Sequence, residues 1–205
     1  MTFFALVPVA LGVTVFVAMA AKDQSYVPSP EYSPSGVPSG KAAVVYYSRS
    51  GHSEAVAREI ARLFNSPIAR ITAGYPLSFS GQGKALADAG ANALPTIEAE
   101  PIDLQLVRRI YLVSPTWLFR PATPLWAYVE QTDLTGKEVV LFTTGNSRLE
   151  QTEIDAFAMR VEARGGQLIR HVFLRRGRIY RQMSRDELLY AARLSAIGID
   201  SQLRK

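Results

Sequence analysis

VVYYSRSGHSEAVAREIA, residues 44–61, passes within a few residues from one kind of periodicity to another. Its first half continues Ala42–Tyr47, a short apolar run rich in β-branched and aromatic residues, which marks a strand buried on both faces. Its second half places Ala57, Ile60, Ala61 and Phe64 on one helical face, with Arg58 and Arg62 outside it. Between the two lies Ser48-Arg49-Ser50-Gly51-His52-Ser53. At a strand-to-helix turn, successive backbone N–H groups point outward and the helix N-terminus adds partial positive charge. Ser48, Ser50 and Ser53 add hydroxyls, and Gly51 lets the backbone turn closely. Such a loop holds a phosphate monoester without needing a lysine. It matches neither G-x-x-x-x-G-K-[ST] nor G-x-G-x-x-G, which disfavours ATP and dinucleotides. Because capping needs only one hydroxyl residue, a serine-rich helix start is the plainer alternative.

Downstream, strand and helix patterns keep alternating. Ile68–Thr72, Ile110–Val113, Glu138–Thr143 and Gln167–Leu174 read as further strands. Pro121–Thr132, Glu150–Arg164 and Ser184–Ile197 read as helices, the last opened by Ser184 with Glu187 three residues on. Five strands interleaved with helices predict an α/β domain, a parallel sheet covered on both faces. Residues 73–104 break the pattern with several glycines and prolines and a helical turn or two around Lys84–Ala93. That stretch is either a loop near the ligand or a surface insertion.

Upstream, Phe3–Ala21 carries no charge over nineteen residues. In a helix that length spans roughly the 30 Å hydrocarbon core of a bilayer. The preferred reading is an uncleaved single-pass anchor over residues 1–22. The alternative is a signal peptide cut after Ala18-Met19-Ala20, although no Lys or Arg precedes the run. Residues 23–40, with prolines at 28, 30, 34 and 38 among serines, read as an extended tether. Residues 41–205 form the domain. The uncharged N-terminus followed by Lys22 and a basic domain predicts that the domain lies on the cytoplasmic side.

The 205 residues include 23 Lys and Arg against 18 Asp and Glu, and no cysteine. A thiol nucleophile, cysteine-ligated metal and disulfides are thereby excluded. Between Arg164 and Arg185 there are seven arginines and no acid. Such a segment fits an anionic lipid surface, an acidic protein or the phosphate of a nicotinamide cofactor, and equally a solubilising face. Only Phe173 and Tyr180 interleave it, so nucleic acid is not an expected partner. His171 lies in a strand pattern and reads as structural.

The quoted stretch resembles the FMN-phosphate signature of the flavodoxin family, with serines where threonines are more usual. YLVSPTWLFRPATPLWAYVEQTDLTGKEVVLFTTG, residues 111–145, resembles the same family's strand, Ser-Pro-x-Trp loop, helix and strand ending in Thr-Gly. The resemblance implies a doubly wound five-stranded parallel sheet in the order 2-1-3-4-5, following the membrane helix. It implies FMN at the carboxyl ends of the strands. Ser48, Arg49, Ser50, Gly51, His52 and Ser53 would hold its phosphate. Pro115, Thr116, Trp117, Leu118 and Phe119 would lie against the ring, with Trp117 either stacking on it or serving as an ordinary core aromatic. Thr144, Gly145 and Asn146 would meet the ring's polar edge. No catalytic side chain and no metal ligand is expected. The function so implied is electron transfer or NAD(P)H/quinone-type oxidoreduction by a membrane-tethered flavoprotein with a redox or membrane-protein partner. The alternative is a non-catalytic subunit of a membrane complex on the same scaffold.

Overall fold

The computed structural model describes residues 14, 25–38, 40–177 and 182–203. The expected membrane helix over 3–21 lies, Thr14 apart, outside the described residues. Among those described, no helix is long and apolar enough to cross a membrane.

The elements run β1 (Ala42–Tyr47), α1 (His52–Phe64), β2 (Ile68–Ala73), α2 (Phe79–Gly90), β3 (Ile97–Ala99), β4 (Arg109–Trp117), β5 (Arg120–Pro121), α3 (Thr123–Gln131), β6 (Glu138–Gly145), α4 (Gln151–Ala163), β7 (Gln167–Arg175) and α5 (Arg185–Leu203). The sheet order is β3-β2-β1-β4-β6-β7, with β5 paired to β4. Its five central strands are parallel and follow the expected 2-1-3-4-5 order. The five-stranded expectation is corrected in one respect. Two short antiparallel strands join the sheet, β3 on β2 and β5 on β4, making seven strands of mixed direction. β5 follows a two-residue reversal and β3 returns only after α2; at two and three residues, both are too short for an apolar period to register.

Alternation along each central strand builds two cores. Ala43, Val45, Ile110, Leu112, Val139 and Leu141 face one side, where Leu125 and Trp126 of α3 and Ile154 and Phe157 of α4 cover them. Val44, Tyr46, Tyr111, Val113, Val140 and Phe142 face the other, beneath Val56 and Ile60 of α1 and Leu188 and Ala192 of α5. Complete burial of a side chain such as Ile60 contributes about 2 kcal/mol. The expected capping box forms: Glu187 N–H donates to Ser184 Oγ (3.2 Å), and Ser184 N–H donates to the Glu187 carboxylate (2.7 Å).

The Pro/Ser segment does not stand off from the domain as a free tether. Residues 26–35 lie along α1 from its N-terminus to its C-terminus. Val27 N–H donates to Ser50 O (3.0 Å), and Arg58 donates to the carbonyls of Ser29 and Pro30 (2.7 Å each). Tyr32 Oη donates to Ala61 O (2.9 Å), and Ser35 N–H to Asn65 Oδ1 (2.7 Å). Tyr26 Oη bonds the buried carboxylate of Glu54. These acceptors and donors compensate the ordering entropy that the segment cannot offset by burying apolar surface of its own.

His171 sits in β7 with its ring against Thr143 Oγ1 (2.9 Å), as expected of a structural histidine. Burial pushes its imidazole from the ordinary 6.5 down to about 4. Between those values the unfolded chain binds a proton that the folded chain does not, so stability falls as pH falls through that window. Urea midpoints at pH 7 and pH 5 should therefore differ less in His171→Gln than in the parent. An equal drop in both would show that other groups carry the acid sensitivity.

Candidate functional site

At the carboxyl ends of β1, β4 and β6 the structure opens a cavity of about 170 Å³. It brings together the residues singled out from sequence with two exceptions: Gly51 and Phe119 do not line it.

The serine loop forms one wall. Gly51 precedes α1 at φ 87, and its N–H donates to Ser48 Oγ (3.1 Å). No side chain caps α1, so the serines do not act as a helix cap. Four N–H groups at a helix start lack intrahelical acceptors. Here Gly51 N–H is taken by Ser48 Oγ, and Ser48, Ser50, His52 and Ser53 line the cavity beside the helix start, with Arg49 and no acidic residue in the lining. Ser53 Oγ is shared with Thr144 Oγ1 (2.9 Å), a buried bond that fixes the loop to the end of β6. The arrangement suits a dianion. An uncapped helix start, hydroxyls and cationic surroundings all favour negative charge at one place.

The second wall is the β4–β5 hairpin. Trp117 and Arg120 pair across it, leaving Leu118 and Phe119 as a two-residue turn with φ of 46° and 68°. Both residues occupy the left-handed region that side-chain-bearing residues avoid, at roughly 1–2 kcal/mol each. Backbone strain of this kind concentrates at functional sites. The hairpin leaves Leu118 45% exposed and Phe119 36% exposed, with the Arg148 guanidinium 4.5 Å from the Phe119 ring centroid. Trp117 is only 9% exposed. It meets Tyr47 and Tyr75 edge-on, at centroid distances of 5.5 and 4.9 Å. It lines the cavity and serves the core at once.

The third wall is the end of β6, Thr144-Gly145-Asn146. Gly145 is required there, because a Cβ would collide with the Thr116 side chain and the Phe173 ring. Arg176, just past β7 and 7% exposed, brings a buried cation to this wall. Its backbone N–H donates to Gly145 O (2.7 Å).

Gln82, Ala85 and Leu86 of α2 also line the cavity. They come from the Gly-rich excursion between β2 and β4, which thus forms a twelve-residue helix beside the site. The Gly and Pro density flagged a loop near the ligand, but Gly81 and Gly83 masked the helix. Arg176 was legible only as one arginine in a basic run. That run does not form one patch: Arg164 donates to Thr132 O, Arg170 to Gln202, and Arg185 to Ser29 Oγ.

No family model matches the chain, and no curated protein matches it significantly. Solved structures do. A flavoprotein from Lactobacillus acidophilus, solved in complex with FMN, is 23% identical, with a TM-score of 0.56 over 65% of this chain and 92% of that one. A candidate flavoprotein from Bacteroides uniformis is 18% identical, with a TM-score of 0.59 over 74% of this chain and 97% of that one. At these identities the likeness is one of fold. The chain has the flavodoxin-like fold of flavoproteins.

Proposed function

We propose that this chain is an FMN-binding redox protein that delivers electrons to a lipid-soluble, quinone-type acceptor at a membrane. The observation that carries the reading is the uncapped start of α1 opening, through a serine loop, into a cavity between the Trp117 hairpin and the end of β6. The residues present fit the group. Ser48, Ser50 and the first N–H groups of α1 would hold the phosphate. Thr116–Leu118 and α2 would bound the ring, and Thr144–Asn146 would face its polar edge. The FMN bound by the Lactobacillus acidophilus neighbour supports the same cofactor here. Bound FMN would supply reversible hydride or single-electron transfer. The chain's own part is to bind, orient and exclude water, with Arg176 favouring negative charge beside the β6 wall.

An apolar acceptor is supported by the rim, where Leu86, Leu118 and Phe119 are each more than a third exposed. Membrane attachment through residues 3–21 is supported by the uncharged run itself. With Tyr26 and Val27 docked beside the serine loop, Ala21 is only five chain steps from Tyr26 at the site end of the domain. At about 3.5 Å per residue that allows roughly 18 Å. The domain would lie close to the bilayer, on the cytoplasmic face by the charge bias, and protease protection in sealed vesicles tests that side.

A non-catalytic subunit on this scaffold is favoured by one observation, the burial of Trp117 between two tyrosines rather than as an open stacking face. FMN titration of the purified domain separates the two. Quenching of FMN fluorescence at micromolar concentrations, with reoxidation of the reduced protein by a short-chain quinone, is the expected result. A folded domain that leaves FMN fluorescence unchanged overturns the redox reading in favour of the scaffold.

A further inference from the structure

Arg70, on β2, is a cation without a partner. Its Nε is buried and makes no hydrogen bond, and no carboxylate among the described residues pairs with its guanidinium. The nearby acids do not pair with its guanidinium. Glu100 accepts the Arg70 backbone N–H (2.8 Å), while Glu54 pairs with Arg58 (2.6 Å) and accepts from Tyr26. A part-buried charge left unpaired is costly, and a protein normally matches it with an anion.

The structure around Arg70 is shaped for one. A second cavity, about 250 Å³, lies at the ends of β1 and β2, on the far side of the serine loop. Arg70, Arg49, Tyr26, Tyr47 and Tyr75 line it, and no acidic residue does. The Tyr47 hydroxyl has no hydrogen-bond partner among the described residues, so it is available to a ligand. Burial pushes that phenol up, while the charges of Arg49 and Arg70 act to lower it. Arg49 is held across the gap by bonds to the carbonyls of Pro76 (3.0 Å) and Ser78 (2.9 Å).

We propose that this cavity is a second anion site, built for the phosphate group of a second ligand that binds beside the first. Cations on two different elements and the unengaged Tyr47 hydroxyl on β1 line it. That suits a tetrahedral group with several acceptor oxygens, whereas a planar carboxylate is satisfied by a single bidentate arginine. The cavity exceeds the size of a bare phosphate, and its three tyrosine rings offer walls for the rest of the molecule. Ser48 and Arg49 line both cavities, so the two ligands would lie on either side of one loop. The site deepens the redox reading, in which a flavoprotein needs a second substrate, but its test is independent of that reading.

The test is calorimetric titration with inorganic phosphate. Ser50→Glu, which blocks the serine loop, is expected to retain one phosphate, and so is the FMN-saturated parent. Adding Arg70→Gln should weaken that remaining phosphate at least tenfold. Tyr47→Phe, which removes only a hydroxyl and keeps the ring, should weaken it severalfold and guards against misfolding of the arginine variant. Acetate titrated in the same way should bind much more weakly. Failure of FMN to bind would count against the redox reading alone, since the Ser50→Glu arm needs no FMN. No phosphate bound to Ser50→Glu, equal binding in Arg70→Gln and Tyr47→Phe, or acetate binding as well as phosphate would overturn the proposal.

Discussion

Replacing Ser50 with glutamate is expected to abolish FMN binding while the domain stays folded. Ser50 lies half-buried on the loop between β1 and α1 and lines the cavity. A carboxylate there would stand within a few ångströms of the FMN phosphate. Two like charges about 4 Å apart repel by about 4 kcal/mol at the effective dielectric of a protein surface, roughly a thousandfold in affinity. The carboxylate would also compete for the uncapped N–H groups of α1, whose lack of a side-chain cap makes them available. It could even stabilise the helix start, since an acidic residue suits that position. The expected pattern is therefore unchanged or slightly higher thermal stability together with loss of fluorescence quenching. Undiminished FMN affinity in the variant would mean that the phosphate sits elsewhere.

Replacing Gly51 with alanine is expected to release the N-terminal segment and to destabilise the domain by about 2 kcal/mol. The residue sits at φ 87, where a side chain costs roughly 1–2 kcal/mol. A Cβ there would also collide with the Val27 carbonyl, and Val27 is held to the same loop through its bond to Ser50 O. The segment along α1 must then lift. Chymotrypsin reports this directly, because Tyr26 and Tyr32 are both bonded in the docked segment. Loss of about 1.4 kcal/mol of docking raises the open fraction tenfold, and cleavage at those tyrosines should rise in proportion. Equal cleavage in the parent and the variant would show that the segment is not held by the loop.

Much of the fold was legible from residues alone because its signals are local. The apolar runs of β1 and β6 alternate two by two into separate cores, and α1 presents its apolar stripe at helical spacing. Ser184 with Glu187 announced the start of α5 from four residues. The wall residues at the ends of β1, β4 and β6 were also legible, since parallel strands deliver their carboxyl ends to one edge. What escaped were features whose cause lies far along the chain. Leu118 and Phe119 carry no turn signature, yet pairing of Trp117 with Arg120 forces them into a tight hairpin. The glycines of α2 argue against a helix, and the Ser78 cap with the burial of Ala85 and Ala89 in the core outweighs that local preference.

The sequence by itself determined the order of strands and helices and the serine loop between the first pair, because periodicity and turn chemistry act between near neighbours. Only the tertiary structure decided three things. Residues 26–35 lie along α1 rather than extending away, because side chains and backbone groups 23 to 30 residues apart bond one another. Trp117 is wedged between Tyr47 and Tyr75, because three strand ends and a loop converge there. And Arg70 is left facing a cavity without a counter-charge. In sequence it is one arginine among many, and only folding buries its Nε away from a hydrogen-bond partner.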